Sequence, residues 1–235
     1  MLEAALYLIP VPLSGGEIDD VLPVRNRHMV GEMRHFIVEN VRSARRFLKK
    51  CDRSIDIDAL TFSELNRHTR PEEVAEMLEP LRRGEAVGVI SEAGCPAIAD
   101  PGADVVAVAQ REGLKVVPLV GPSSIIMSLM ASGFNGQSFA FLGYLPIDGA
   151  ERQRKLRSME QCINTLDQTQ IFIETPYRNN KLLAELVKSL PRRLRLCVAS
   201  DISGARETII TRTVEEWGRA KYDYDKVPTI FLLYK

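Results

Sequence analysis

Apolar residues in this chain gather into short unbroken runs, separated by stretches in which they recur every three or four positions. Ala4 to Ile9 is one such run, stopped by Pro10. A strand that is apolar on both faces suits the centre of a parallel sheet covered by helices. Phe36–Val38, Ala86–Ile90 and Lys115–Leu119 repeat the pattern and predict further strands. Between them, Arg42–Lys50 reads as a helix, as does Pro71–Arg83, opened by a proline and closed by Gly84. Ala103–Arg111, before Gly113, is a third. Strands alternating with helices predict βαβ units and a mostly parallel sheet.

The pattern changes after Gly133. Ser138–Leu142 and Gln170–Glu174 predict strands, and Arg178–Leu190 a helix ended by Pro191. Leu194–Ser200, Thr208–Arg212 and Thr229–Tyr234 predict three more strands, with a short helix around Trp217. Strands following one another without full helices between them imply a mixed sheet, hence a second domain. The boundary is expected between residues 120 and 136, giving an N-terminal domain of 1–122 and a C-terminal domain of 123–235.

Composition narrows the class without naming a chemistry. Of 235 residues 45% are hydrophobic, and Lys+Arg and Asp+Glu both count 31. Such a chain folds around a core, and its zero net charge exerts no global pull on nucleic acid or an anionic membrane. Cys51, Cys95, Cys162 and Cys197 stand too far apart for a zinc knuckle or redox dithiol, and fit a reducing compartment. Glu3 sits where a signal peptide needs a base, and Pro10 and Pro12 break an apolar segment already too short to span a bilayer. A cytoplasmic protein without membrane contact is expected. His28, His35 and His68 form no ligand cluster, so no metal is expected.

Chemistry is sought at four junctions that follow predicted strands. After the run ending at Ile90 comes Ser91-Glu92-Ala93-Gly94-Cys95-Pro96-Ala97-Ile98-Ala99-Asp100-Pro101-Gly102. Ligands in open α/β sheets sit at the carboxyl ends of strands, where this loop lies. Gly94 and Gly102 permit close backbone approach, and Pro96 and Pro101 stiffen the loop; an inert long connection is the alternative. In Val120-Gly121-Pro122-Ser123-Ser124 the serines either cap the next helix or meet a carboxylate or ribose oxygen. Pro10-Val11-Pro12-Leu13-Ser14-Gly15-Gly16 is neither a dinucleotide fingerprint nor a phosphate-binding loop, so neither NAD nor ATP is expected. Glu174, in Phe172-Ile173-Glu174-Thr175-Pro176-Tyr177-Arg178, reads as a ligand contact or a helix-terminal charge.

Six of these segments, in order, resemble the tetrapyrrole methylase superfamily of S-adenosylmethionine (SAM)-dependent methyltransferases. They are Leu6–Leu13, Ser91–Gly102, Val116–Ser124, Ala131–Phe134, Phe141–Pro146 and Ile173–Arg178. Within the superfamily they are most similar to the bacterial small-subunit rRNA ribose 2′-O-methyltransferase branch. The resemblance implies a two-domain tetrapyrrole-methylase-like α/β fold, with a mostly parallel N-terminal sheet, a mixed C-terminal sheet and SAM held between the domains of a homodimer. It also implies cofactor contacts from Pro12, Ala93, Gly94, Cys95, Ile98, Ser123, Ser124, Glu174, Thr175, Pro228 and Thr229.

The acceptor side departs from the rRNA branch. Glu39-Asn40-Val41 replaces an acid-threonine pair, and Ala199-Ser200-Asp201-Ile202-Ser203-Gly204 replaces a segment that carries a lysine. The branch's C-terminal helical extension does not follow the last strand, and Lys226-Val227-Pro228-Thr229 is more similar to the small-molecule branch. Three functions follow as expectations. A methyltransferase on rRNA calls for a basic strip, drawn from Arg25, Arg27, Arg42, Arg45, Arg46, Arg67 and Arg70. A methyltransferase on a small molecule such as a tetrapyrrole calls for an apolar trough, to which Met29, Met33 and Phe134 are candidates. A SAM-binding protein without turnover is the third. For a proton acceptor the candidates are Asp100, Glu92 and Asp201, with His68 beyond them.

Overall fold

The computed structural model describes residues 2–66 and 68–235. Two units emerge, residues 1–123 and 124–235.

In the first unit the predicted apolar runs become β1 (Leu6–Ile9), β2 (His35–Val38), β4 (Val87–Ile90) and β5 (Val116–Pro118). A further strand, β3 (Thr61–Glu64), completes a wholly parallel sheet of order β3-β2-β4-β1-β5 among the described residues. The centre is β4, buried at every position, with β1 beside it. The half-exposed β3 lies at an edge, which is why Thr-Phe-Ser-Glu lacks the apolar continuity of its neighbours.

Alternation along the strands sorts the helices onto two faces. Tyr7, Ile9, Phe36 and Val38 pack with α1 (Val24–Glu32) and α2 (Val41–Cys51), through Met29, Val30, Phe47 and Leu48. Leu6, Ile37, Val87 and Val89 pack with α3 (Pro71–Glu76), α4 (Glu79–Arg82) and α5 (Gly102–Arg111), through Val74, Leu78, Val105 and Ala109. The chain steps outward from β1 to β3 over the first face and returns over the second, as right-handed crossovers require when the direction of travel reverses. The neighbouring strands β1 and β4 therefore send their connections to opposite faces, and a crevice opens at their carboxyl ends.

The single helix expected over Pro71–Arg83 is broken at Met77–Leu78. Pro80 has no N–H to bond back one turn, so it restarts the chain near the head of a second short helix. Helix α1 was not among the predicted elements; its buried face consists of Asn26, Met29 and Val30. Met29 and Met33 are buried in the core, so they line no trough.

The second unit holds β6 (Phe139–Tyr144), β7 (Thr169–Ile173), β8 (Arg195–Ser200), β9 (Thr208–Thr213) and β10 (Thr229–Tyr234) in the order β6-β7-β10-β8-β9. Only the β6–β7 pair is parallel, so the sheet is mixed, as expected. Its helices are α6 (Ser124–Ser132), α7 (Gly149–Leu166), α8 (Asn179–Ser189) and α9 (Val214–Trp217). The 18-residue α7 fills what the sequence left as a connection, because only Leu156, Met159 and Ile163 mark its buried stripe. Phe172 and Phe231 stack across β7 and β10, and Trp217 donates from Nε1 to the Leu196 carbonyl at 2.8 Å. Among the described residues no helix is long and apolar enough to cross a membrane.

Candidate functional site

Of the loops that leave the carboxyl end of the parallel sheet, those after β1, β4 and β5 are each fastened to the other two. Val11, after β1, donates to the Gly94 carbonyl at 3.0 Å, and Gly94, after β4, donates to the Val11 carbonyl at 3.1 Å. The Cys95 Sγ lies 3.4 Å from the Pro122 carbonyl in the loop after β5. Gly121 in that loop presses on Pro10, where an added Cβ would meet the ring at 2.2 Å. Asn26 on α1 donates to the Val120 carbonyl at 2.7 Å. Each hydrogen bond contributes roughly 0.5–1.5 kcal/mol net, and together the links preshape backbone that would otherwise be costly to order.

Gly94 sits where the loops converge. Its φ of +69° favours glycine, and a Cβ there would come within 3.0 Å of Leu13 and 3.5 Å of the Pro122 carbonyl. Further along, Ala97 and Ala99 hold φ values of 66° and 63°, each costing roughly 1–2 kcal/mol for a residue with a Cβ. The Asp100 carboxylate anchors this strained stretch, accepting from the Ala97 N–H at 3.0 Å and the Gly102 N–H at 2.7 Å through one oxygen. Burial pushes its pKa up, and those two N–H groups pull it back down. Burial likewise raises the Cys95 thiol.

Glu92 is bound differently. It is exposed and accepts from the Ser43 hydroxyl at the head of α2, 2.5 Å away. It lines an open cleft of about 370 Å³, with Pro12, Ser43, Arg46, Lys50 and Ser91 among its walls. The sheet end thus gathers Pro12, Ala93, Gly94, Cys95, Ile98 and Ser123 around backbone held open by tight turns. Ile98 lies 53% exposed at this end, apolar surface without a described cover. A cradle of bared backbone, apolar side chains and hydroxyls fits a nucleoside bearing a sulfonium and an amino-acid tail.

The remaining expected residues cluster in the second unit. Glu174 follows β7 and Thr229 opens β10, and those strands pair directly. Glu174 is 8% exposed; it accepts from the Thr175 N–H at 2.7 Å and from the Arg178 guanidinium at 2.7 Å. Thr229 donates to the Val227 carbonyl, and the Pro228 carbonyl accepts from the Asp201 N–H at 2.9 Å. Asp201, at φ 48°, folds the β8–β9 turn by accepting from the Arg206 N–H at 2.9 Å. Ser124 is the first residue of α6.

The family model for Tetrapyrrole (Corrin/Porphyrin) Methylases matches residues 6–218. The chain belongs to the tetrapyrrole methylase family. It is therefore a SAM-dependent methyltransferase. Proteins called ribosomal RNA small subunit methyltransferase I are similar along most of its length. That of Halalkalibacterium halodurans is 29% identical, covering 92% of this chain and 72% of its own. Those of Vibrio cholerae and Pseudomonas aeruginosa are 30% and 31% identical, covering 87% and 89% of this chain and 67% and 70% of theirs. Solved structures share the fold. The methyltransferase CobJ matches with a TM-score of 0.63 at 13% identity, over 98% of this chain and 94% of that one. Uroporphyrin-III C-methyltransferase from Thermus thermophilus, complexed with S-adenyl homocysteine, matches with 0.56 at 15% identity, over 98% and 97%.

Several residues of this tetrapyrrole methylase escaped the sequence reading. Val11 acts through its backbone N–H and carbonyl, which nothing in its residue type announces, and Asn26 through a side-chain amide that donates to a carbonyl 94 positions away. Ser43 was hidden inside a helix, although its position one turn from Asn40, whose side chain caps α2, marks it as lying near the strand tips. Of the expected basic strip, Arg27 is paired with Asp19 and Arg70 with Glu73, while Arg67 lies outside the described residues. His68 is exposed.

Proposed function

We propose that this methyltransferase acts on a ribose 2′-hydroxyl of small-subunit ribosomal RNA. The similarity to ribosomal RNA small subunit methyltransferase I, sustained over about nine-tenths of the chain in three organisms, carries the reading. The cofactor contacts proposed are Pro12, Ala93, Gly94, Cys95, Ile98 and Ser123 in the first unit and Ser124, Glu174, Thr175, Pro228 and Thr229 in the second. A homodimer working in the cytoplasm completes the proposal, and light scattering on the purified chain tests its oligomeric part.

Bound SAM supplies a methyl group on an excellent sulfonium leaving group. The chain's task is alignment and exclusion of water, worth roughly 7–11 kcal/mol of barrier when reactants are well placed. The linked loops hold the Gly94 and Cys95 backbone in place before any ligand arrives. Among the three candidate acids, Asp100 and Asp201 are spent on backbone turns, whereas Glu92 is bonded to a side-chain hydroxyl and faces a cleft. Glu92 is thus the acid proposed to hold the acceptor hydroxyl and take its proton.

Tritiated-methyl SAM, incubated with small ribosomal subunits from a strain lacking such an enzyme, is expected to label the RNA at one alkali-resistant linkage. A parallel incubation with uroporphyrinogen III should remain unlabelled. Label in the tetrapyrrole and none in RNA would overturn the proposal.

A further inference from the structure

Helix α2 carries a charge pattern unlike the rest of the molecule. Six of the twelve residues from Arg42 to Arg53 are basic and one, Asp52, is acidic, in a chain of zero net charge. The apolar positions Ala44, Phe47, Leu48 and Cys51 form the buried stripe, which leaves Arg42, Arg45, Arg46, Lys49, Lys50 and Arg53 exposed. Elsewhere the basic residues commonly pair with carboxylates: Arg27 with Asp19, Arg82 with Glu79 and Glu112, Lys115 with Glu3, Arg152 with Glu185. None of these six cations, five on α2 and Arg53 just beyond it, makes an ion pair among the described residues. Arg45 lies instead over the Phe62 ring, 5.5 Å from its centroid. Six clustered like charges repel one another, and a polyanion would offset that repulsion.

Shape and position say which polyanion. Arg45, Arg46, Lys49, Lys50 and Arg53 line an open groove of about 710 Å³ floored by Ile18 and Ile57, with Glu17 and Gly16 at its margin. Arg46 and Lys50 also line the cleft that holds Glu92, so the groove runs into the strand tips. The cations fall on successive turns, Arg42, then Arg45 with Arg46, then Lys49 with Lys50, about 5.4 Å apart along the axis. A linear, regularly charged chain matches a row of this kind, whereas a flat membrane does not match a groove.

We infer that the exposed face of α2 is the track for the phosphodiester backbone of an RNA acceptor, delivering it to the strand tips beside Glu92. The inference rests on the rRNA reading and assigns the surface that reading needs. Phosphate contacts of this type fix position without reading sequence, so the track sets register while other surfaces select the nucleotide.

The triple variant Arg45→Gln, Lys49→Gln, Arg53→Gln leaves Arg46, Lys50 and Glu92 in place. Binding of a fluorescein-labelled oligouridylate is followed by anisotropy across a salt series. The slope of log K against log salt should flatten by about 2 for three lost phosphate contacts, with affinity falling roughly tenfold or more at low salt. Melting temperature and calorimetric SAM affinity should match the wild type, and KM for small subunits should rise. A variant that keeps the wild-type salt slope, in a protein that does label rRNA, overturns the track and leaves the proposed function standing. Wild-type protein that never labels rRNA, yet binds the oligonucleotide through these three residues, keeps the track and sinks the rRNA reading. Binding to phosphatidylglycerol vesicles with no salt-dependent RNA affinity overturns the track in favour of a membrane.

Discussion

Val11 and Gly94 exchange both of their backbone hydrogen bonds, although 83 positions separate them and neither belongs to a regular strand. The bridge is antiparallel, unlike the parallel β1–β4 pairing below it, and ties together the two loops that leave those strands. Gly94→Ala adds a Cβ at φ +69° against Leu13, a strain of roughly 1–2 kcal/mol that can be relieved only by moving the loop. Calorimetry should show SAM affinity weakened about tenfold, and Gly94→Arg should abolish it. Unchanged affinity in the arginine variant would remove this loop from the cofactor site.

Gly121 and Pro10 lock the first and third loops in the same way. A Cβ at Gly121 would meet Pro10 at 2.2 Å and Leu22 at 3.2 Å, and a proline ring cannot swing aside. Gly121→Ala should therefore destabilise the protein by about 1–3 kcal/mol, the usual range for overpacking. Urea unfolding measures it; a midpoint equal to the wild type would mean the loop shifts freely.

Asp100 gives a dependence on pH. Burial raises its carboxyl above the ordinary aspartate value, so the folded state holds the proton more tightly than the unfolded chain. Stability from this group is then greatest at low pH and declines as pH rises from about 3.9 through the raised native value, staying flat above it. Asp100→Asn lacks the titration but keeps an oxygen for the Ala97 and Gly102 N–H groups. The stability of wild type relative to the variant should therefore decrease between acid and neutral pH in paired urea melts. A difference that grows with pH would contradict the assignment.

In the second unit, Arg152 on α7 grips Glu185 on α8 with two bonds of 2.7 Å and also donates to the Pro146 and Ile147 carbonyls. Lysine carries the charge without the planar fork. Arg152→Lys should cost about 1–3 kcal/mol by thermal unfolding, because the partly buried carboxylate and carbonyls lose partners. A loss below a few tenths would show that the charge alone suffices.

The sequence by itself determined β1, β2, β4 and β5 and marked the loops after them as candidates for chemistry, because β1, β2 and β4 are buried on both faces and must read as continuous apolar runs. It also pointed to Arg42, Arg45 and Arg46 of α2, but not to Lys49 and Lys50, which complete the row. It did not determine the edge strand β3, half-exposed and so without an apolar run, or the helix α7, whose stripe is only three residues wide. Only the tertiary structure decided which loops touch. The links between Val11 and Gly94, Cys95 and Pro122, and Gly121 and Pro10 run largely through backbone carbonyls and a missing Cβ, and every residue type has a carbonyl. Likewise, only three dimensions separate Glu92 from Asp100, two acids alike in sequence, one held by a hydroxyl at a cleft and the other consumed in holding a turn.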